Sequence, residues 1–258
     1  MSFTTVEVNA IGARGTIALN RPEKLNPLST ETLRELADAA HWFDQRPDVK
    51  VVVVSGRGRA FSSGADLSVF AGADPGVAAR REAADAGRLM AEAIESMRAI
   101  TVARIQGHCV GGGLVLAAAC DLRVAANTTR FSIPEVDLGI PLAWGGIPRL
   151  VREIGPTMTK ELVLTCRPFT AEEALALGFV NRVVREEQLD EVVDELVAQF
   201  VQKSSLTLIA TKRAVNAASS AMASTSGAWS DADSLLTALS DPESRRAAQD
   251  YLARLNRR

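Results

Sequence analysis

The chain has 258 residues, of which 47% are hydrophobic and 23% charged, and its formal net charge is −2. This composition is typical of one globular protein with a large core, and the charge gives no reason to expect a nucleic-acid partner. The N-terminal segment lacks a basic stretch followed by an apolar core, and no 18-residue apolar run is free of charge. We therefore expect a cytoplasmic protein with no signal peptide and no membrane partner.

The first third of the chain predicts a hairpin, a helix and a buried strand. Residues 3–22 alternate between apolar and polar and contain two glycine breaks, which is typical of a β-hairpin. Ser29 or Thr30 is predicted to cap the helix that follows. Residues 49–56 form a continuous β-branched run of the kind that is buried on both faces of a sheet. A loop rich in glycine and serine, residues 56–67, comes next.

The middle of the chain repeats this alternation of strands and helices. Residues 77–98 predict a helix, 101–107 a strand, and 121–127 a further strand after an apolar helix that opens at three glycines. Such an order implies a mainly parallel sheet flanked by helices. We expect a sheet-bearing core over residues 1–190 and a helical C-terminal region over residues 191–258.

Two glycine loops are the main candidates for function. One is residues 56–67, and the other is the triplet Gly111–Gly113. Neither has the spacing of a phosphate-binding or dinucleotide-binding loop. Two loops that offer backbone N–H groups at strand ends fit a two-donor oxyanion hole, in which each donor is worth about 3–4 kcal/mol of barrier. The alternative is that these glycines serve only tight turns and packing.

Four sequence blocks, taken together, favour the functional alternative. They are NRPEKLNPLS (20–29), GRGRAFSSGADL (56–67), GHCVGGGLVLAAACDLRVA (107–125) and FSIPEVDLGI (131–140) followed by GGIPRLVREIG (145–155). In order and spacing they resemble the enoyl-CoA hydratase/isomerase, or crotonase, superfamily. The resemblance implies an α/β fold, a ClpP-like spiral of ββα units whose helical C-terminal region builds homotrimers and often hexamers as dimers of trimers.

The resemblance also implies an acyl-CoA thioester substrate, which brings its own coenzyme A, and no metal or redox cofactor. By position, the backbone N–H groups of Ala65 and Gly112 correspond to the two oxyanion donors. The residues that correspond to the binding site for the adenine and pantetheine of coenzyme A are Lys24, Leu25, Ala65, Asp66 and Leu67.

The hydratases of this family use two glutamates, because one carboxylate activates water while the other supplies the α-proton. This chain has the second glutamate, Glu135, but Val115 stands at the position of the first. One carboxylate beside an oxyanion hole suffices to move a proton between C2 and C4 of an enoyl-CoA. We therefore expect a Δ3–Δ2 enoyl-CoA isomerase. The alternatives are an enoyl-CoA hydratase and a non-catalytic acyl-CoA-binding protein. The dienoyl-CoA isomerases carry further acids at positions occupied here by Val115 and Ala143.

Several other side chains have more than one interpretation. Trp144 either walls the acyl pocket or packs in the core. His108 is expected to be packed and hydrogen-bonded, Asp121 to bond backbone at a strand start, and Asp137 to point outward. Residues 70–81 are expected to shape the acyl pocket. The basic residues near the end of the chain predict either a solvated helix end or a local site for an anionic ligand: Arg245, Arg246, Arg254, Arg257 and Arg258.

Overall fold

The computed structural model describes residues 3–66 and 76–255. Its strands are β1 (Val6–Ile11), β2 (Arg14–Leu19), β3 (Val51–Gly56), β4 (Ile100–Ile105), β5 (His108–Val110), β6 (Leu122–Ala126), β7 (Arg130–Ser132), β8 (Phe169–Thr170) and β9 (Arg182–Val184). Its α-helices are α1 (Thr30–Asp44), α2 (Val77–Ser96), α3 (Gly112–Ala119), α4 (Gly146–Thr165), α5 (Ala171–Ala176), α6 (Leu189–Val201), α7 (Ser205–Met222), α8 (Asp231–Ser240) and α9 (Pro242–Leu255). Short 3-10 helices lie at Pro22–Lys24, Glu186–Gln188 and Ser226–Ser230.

The larger sheet has six strands in the order β1-β2-β3-β4-β6-β9. Strands β1 and β2 pair as an antiparallel hairpin, and every later neighbour in this sheet is parallel. The predicted hairpin and the mainly parallel sheet are therefore confirmed. In this arrangement the carboxyl ends of β3 and β4 lie at one edge, where ligand sites of open α/β sheets form.

Strand β3 is buried on both faces, as its sequence predicts. Val52 and Val54 belong to the main core beneath α1, α2 and α3. Val51 and Val53 face the other way and pack in a second cluster with α6 residues such as Val193. Because alternate residues of a strand point to opposite faces, a run of four valines supplies both layers.

The smaller sheet has the order β5-β7-β8. The apolar pattern does not separate β4 from β5, but the chain turns between them at Gly107, which has a φ of 61°. The prediction of a packed, hydrogen-bonded His108 is wrong: the side chain is exposed, because strand alternation turns Cys109 inward and its neighbour out.

Two local interactions confirm predictions. The Ser29 hydroxyl accepts a hydrogen bond from Thr32 N, which makes Ser29 the N-cap of α1. Asp121 Oδ2 accepts from Thr101 N at 2.7 Å, at the start of β4, and Lys212 Nζ lies 2.8 Å from the same oxygen.

The chain from Leu189 to Leu255 is helical, and α8 and α9 fold back over the region between α2 and the segment 135–144. Asp231 of α8 accepts a hydrogen bond from Gly145 N at 2.8 Å, and Arg81 of α2 pairs with Asp233 at 3.0 Å. The boundary at residue 190 stays a prediction. No helix in the described ranges is both long and apolar enough to cross a bilayer.

Candidate active site

The first glycine loop is held beside the second by a short parallel bridge. Ser62 N donates to His108 O at 3.0 Å, and Val110 N donates to Ser62 O at 3.1 Å. An ideal β carbon on Gly64 would lie 3.7 Å from Gly112 N. The loop after β3 and the start of α3 are therefore neighbours, as a two-donor site requires.

The opposite edge of the same loop is bound to Leu28. Leu28 N donates to Gly64 O at 2.8 Å, and Asp66 N donates to Leu28 O at 3.0 Å. This pairing leaves the N–H of Ala65 unused. Within residues 3–66 and 76–255, neither Ala65 N–H nor Gly112 N–H donates to a protein acceptor, and both residues line one cavity. The site therefore offers two free backbone donors to a ligand.

Each glycine of the triplet makes room for a different neighbour. An ideal β carbon on Gly111 would overlap with Oε1 of Glu135 and lie 3.1 Å from its Cδ. One on Gly112 would overlap with the ring of Trp144 and lie 2.9 Å from its Cη2. One on Gly113 would lie 2.7 Å from Cβ of Ser62.

Glu135 sits in a turn after β7, and the turn is closed by Ile140 N donating to Glu135 O at 2.9 Å. The residue is 8% exposed, and its Oε2 has no hydrogen-bond partner among the described residues. Burial in apolar surroundings raises the pKa of the Glu135 carboxyl from 4.5 to about 7. A carboxyl with this pKa can both accept and return a proton near neutral pH.

Val115, which stands where the hydratases have their first glutamate, is buried outside the cavity. Val115 is 1% exposed and does not belong to the described lining. Its Cγ2 would lie 2.9 Å from a β carbon on Gly146, at the start of α4. Among the described lining residues the other carboxylate is that of Asp66, which pairs with Arg21 at 2.8 Å. Asp137 is exposed, as the sequence predicted.

The cavity has a volume of about 600 Å³. Its walls are largely aliphatic and come from α1, the 135–144 segment, α8 and α9, with Leu33, Leu138, Leu142, Leu235, Leu239 and Leu252 among them. Exposed Arg245 also belongs to the lining. A cavity of this size and character fits a mostly apolar ligand of drug-like size.

The predicted coenzyme A residues fall into three groups. Ala65 and Asp66 line the cavity. The described lining does not include Lys24 or Leu25: Lys24 is exposed, and Leu25 O accepts from Ser63 N at 2.9 Å. Leu67 lies outside the described residues, as do residues 70–75 of the segment expected to shape the pocket, and Arg257 and Arg258. The binding roles stay predictions.

Sequence reasoning missed two residues that shape this site. Asn26 is buried and donates from Nδ2 to Arg57 O and Ala60 O, both at 2.9 Å, so it ties the turn before α1 to the loop after β3. The Ser62 hydroxyl donates to Asn26 O at 2.8 Å and accepts from Gly64 N at 3.1 Å. The signal that the sequence offers for Asn26 is its residue type, because asparagine tolerates a left-handed backbone better than most residues, and the structure gives it a φ of 54°.

Trp144 lines the cavity and also packs against the main core, so both interpretations of its sequence position describe part of its surroundings. Its φ is 64°. Its carbonyl accepts from Arg149 Nη1 at 3.2 Å, and the next residue, Gly145, donates to Asp231. The backbone that carries this indole is thus fixed from both sides.

Comparisons with known proteins agree with this fold. A sequence profile described as enoyl-CoA hydratase/isomerase matches residues 12–257. The crystal structure of an enoyl-CoA hydratase from Mycobacterium avium subsp. paratuberculosis K-10 superposes with a TM-score of 0.88, at 26% identity, over 96% of this chain and 99% of that one. The protein is therefore an acyl-CoA enzyme with the crotonase fold, as expected. It belongs to the enoyl-CoA hydratase/isomerase family.

The relatives include proteins named as hydratases and one named as a dienoyl-CoA isomerase. Crotonyl-CoA hydratase of Syntrophomonas wolfei is 36% identical over 199 residues, which cover 77% of this chain and 76% of the relative. The peroxisomal Delta(3,5)-Delta(2,4)-dienoyl-CoA isomerase of Arabidopsis thaliana is 35% identical over 225 residues, which cover 82% and 81%. These similarities define the family and leave the choice between its reactions to the site.

Proposed function

We propose that this enzyme is a Δ3–Δ2 enoyl-CoA isomerase that uses Glu135 as its one acid–base group. The observation that carries the proposal is a buried carboxylate beside two free backbone donors, with a sealed valine in place of a second carboxylate. This arrangement supports moving one proton. Among the described lining residues the other carboxylate is Asp66, which is engaged with Arg21 and is therefore a poor candidate to activate water.

In the proposed reaction, the thioester oxygen of a 3-enoyl-CoA accepts hydrogen bonds from Ala65 N–H and Gly112 N–H. The Glu135 carboxylate removes a proton from C2, and the electron pair delocalises over a dienolate whose oxygen the two donors stabilise. The protonated Glu135 then returns the proton to C4, which leaves the double bond between C2 and C3. The same proton leaves and returns, so the reaction needs no metal, redox cofactor or water.

The surroundings of Glu135 support this cycle energetically. A pKa of about 7 lies close to neutrality, so the carboxylate form is available and the acid form is still able to donate. The aliphatic walls exclude solvent from the dienolate, and the exclusion of water strengthens the hydrogen bonds from the two donors. We propose that Lys24, Leu25, Ala65, Asp66 and Leu67 bind the coenzyme A portion of the substrate.

Hydration of a 2-enoyl-CoA is the second candidate reaction, because the relative from Syntrophomonas wolfei and the neighbour from Mycobacterium avium are both named hydratases. It would require Glu135 to orient water and to supply the α-proton without a second acid. Of the described cavity residues, Asp66 is the other carboxylate, and it already pairs with Arg21.

The test presents trans-3-enoyl-CoA and trans-2-enoyl-CoA separately to the wild type and to Glu135→Gln. We expect double-bond migration in the wild type, a loss of about 10²–10⁴-fold in Glu135→Gln, and little hydration. Asp137→Asn is the matched control, because it neutralises an exposed acid two residues away. Hydration at an ordinary enzymatic rate without migration would overturn the proposal, and tight binding with neither activity would favour a binding protein.

We also propose that the enzyme is a homotrimer or a dimer of trimers. Helix α7 presents Val215 and Met222, which lie seven residues apart and so share one face, to solvent in the single chain, with exposures of 57% and 77%. A surface of this kind is typical of a contact with another copy. Light scattering after size-exclusion chromatography tests this proposal, and a monomeric mass would contradict it.

A further inference from the structure

The indole of Trp144 is held between two helices by paired glycines. On one side lies Gly87, a buried residue in the interior of α2. An ideal β carbon there would overlap with Cγ, Cδ2 and Cε2 of Trp144. Because glycine is unfavourable in a helix interior compared with alanine, its presence at this contact indicates that the ring needs the space.

On the other side, the six-membered edge of the indole lies against Gly112. A β carbon on Gly112 would overlap with Cζ3 and lie 2.9 Å from Cη2 of Trp144. The ring edge therefore lies against Gly112, the residue whose N–H is one of the two proposed donors. The hydrogen bonds from Arg149 Nη1 to Trp144 O and from Gly145 N to Asp231 hold the backbone at this point. The indole is a fixed wall.

This wall stands where the acyl group begins. A thioester oxygen bound by Gly112 N–H lies about 3 Å from that nitrogen. The carbonyl carbon and C2 are the next atoms of the substrate, so they are the acyl atoms nearest to the indole edge. We propose that Trp144 is a specificity-determining residue that excludes acyl groups branched at C2 and admits straight chains. This inference rests on the proposed binding of acyl-CoA at the two N–H groups.

The test uses two saturated thioesters that cannot undergo isomerisation or hydration. Binding of butyryl-CoA and of 2-methylbutanoyl-CoA, which carries one additional methyl group at C2, is measured by calorimetry on the full chain. A single methyl group in an apolar pocket changes recognition by about 10–200-fold, so we expect the wild type to prefer butyryl-CoA by a factor in this range. In Trp144→Ala the ratio of the two dissociation constants should fall towards one.

Two further variants complete the experiment. Trp144→Phe keeps an aromatic ring of smaller size and guards against a failure of Trp144→Ala to fold, and we expect it to lower the ratio in part. Trp229→Ala is the matched control, because this tryptophan is 59% exposed and does not belong to the described cavity lining, and its ratio should equal that of the wild type.

The outcomes separate this inference from the proposed reaction. If the protein isomerises 3-enoyl-CoA and both Trp144 variants keep the wild-type ratio of dissociation constants, the proposed role of Trp144 is overturned and the proposed reaction stands. A ratio that falls in a protein without isomerase activity would support the wall and overturn the reaction. Binding of neither thioester by the wild type would overturn both.

Discussion

Replacing Glu135 by glutamine should make the protein more stable above pH 7 while it lowers isomerase activity by about 10²–10⁴-fold. The wild-type carboxyl is buried and ionises with a pKa of about 7 instead of 4.5. Glutamine has nearly the same shape and carries no charge at any pH. The substitution therefore isolates the cost of placing a charged carboxylate in this apolar site.

The magnitude follows from linkage. One pKa unit corresponds to about 1.4 kcal/mol, so a pKa raised from 4.5 to about 7 costs the wild type about 3 kcal/mol when the carboxyl is ionised. Between pH 4.5 and 7 the unfolded chain has lost this proton and the folded protein still holds it. The stability contributed by protonated Glu135 is thus complete below pH 4.5 and is lost as the pH rises through 7.

The assay is urea unfolding of the wild type, Glu135→Gln and the control Asp137→Asn from pH 4.5 to 8. The difference between Glu135→Gln and the wild type should shift by about 3 kcal/mol in favour of the variant over this range, and the control should not reproduce the shift. Wild-type kcat/KM for 3-enoyl-CoA should rise through an apparent pKa near 7, because the carboxylate is the base. If the difference in unfolding free energy between Glu135→Gln and the wild type did not change with pH, the raised pKa of Glu135 would be refuted.

Three further substitutions test the contacts around the site. Gly111→Ala places a β carbon on Oε1 of Glu135 at a φ of 50°, so we expect a loss of isomerase activity with a destabilisation of at least about 1 kcal/mol, measured by turnover and urea unfolding. Gly87→Ala should destabilise the wild type but stabilise Trp144→Ala by about 1 kcal/mol, since alanine is the better helix former once the ring is gone; additive effects in a double-mutant cycle would contradict this. Val115→Glu should lower stability by about 3 kcal/mol or more without creating hydratase activity, because it buries an unpaired acid outside the cavity.

The sequence predicts those parts of the fold that local pattern controls. The hairpin, the N-cap at Ser29 and the doubly buried strand β3 each follow from a few adjacent residues. The second sheet does not, because β5 has three residues and β8 has two, too few to show a period of their own. Exposure of His108 follows from the direction of β5, which is set only when the strand pairs with β7.

The candidate site is predictable to the same extent. The sequence indicates that Ala65, Gly112 and Glu135 belong to a site, through resemblance of the blocks that carry them. It does not indicate that α8 and α9 line the cavity. Leucines spaced along an amphipathic helix predict a buried face, but they do not identify the part of the protein that this face contacts. The positions of Asn26 and Ser62 depend likewise on loops that meet only in the folded chain.

The glycine triplet shows why contacts between distant segments cannot be predicted from the sequence. A glycine in the sequence can mark a position where a β carbon would clash. The side chain with which it would clash belongs to another segment of the chain, so the sequence does not identify it. Here the three reasons come from three directions: the carboxylate of Glu135, the indole of Trp144 and the side chain of Ser62. Because each contact joins segments more than twenty residues apart, the triplet fixes the geometry of the base, the wall and the loop at once. Any one of these glycines replaced by alanine should therefore disturb a different part of the site.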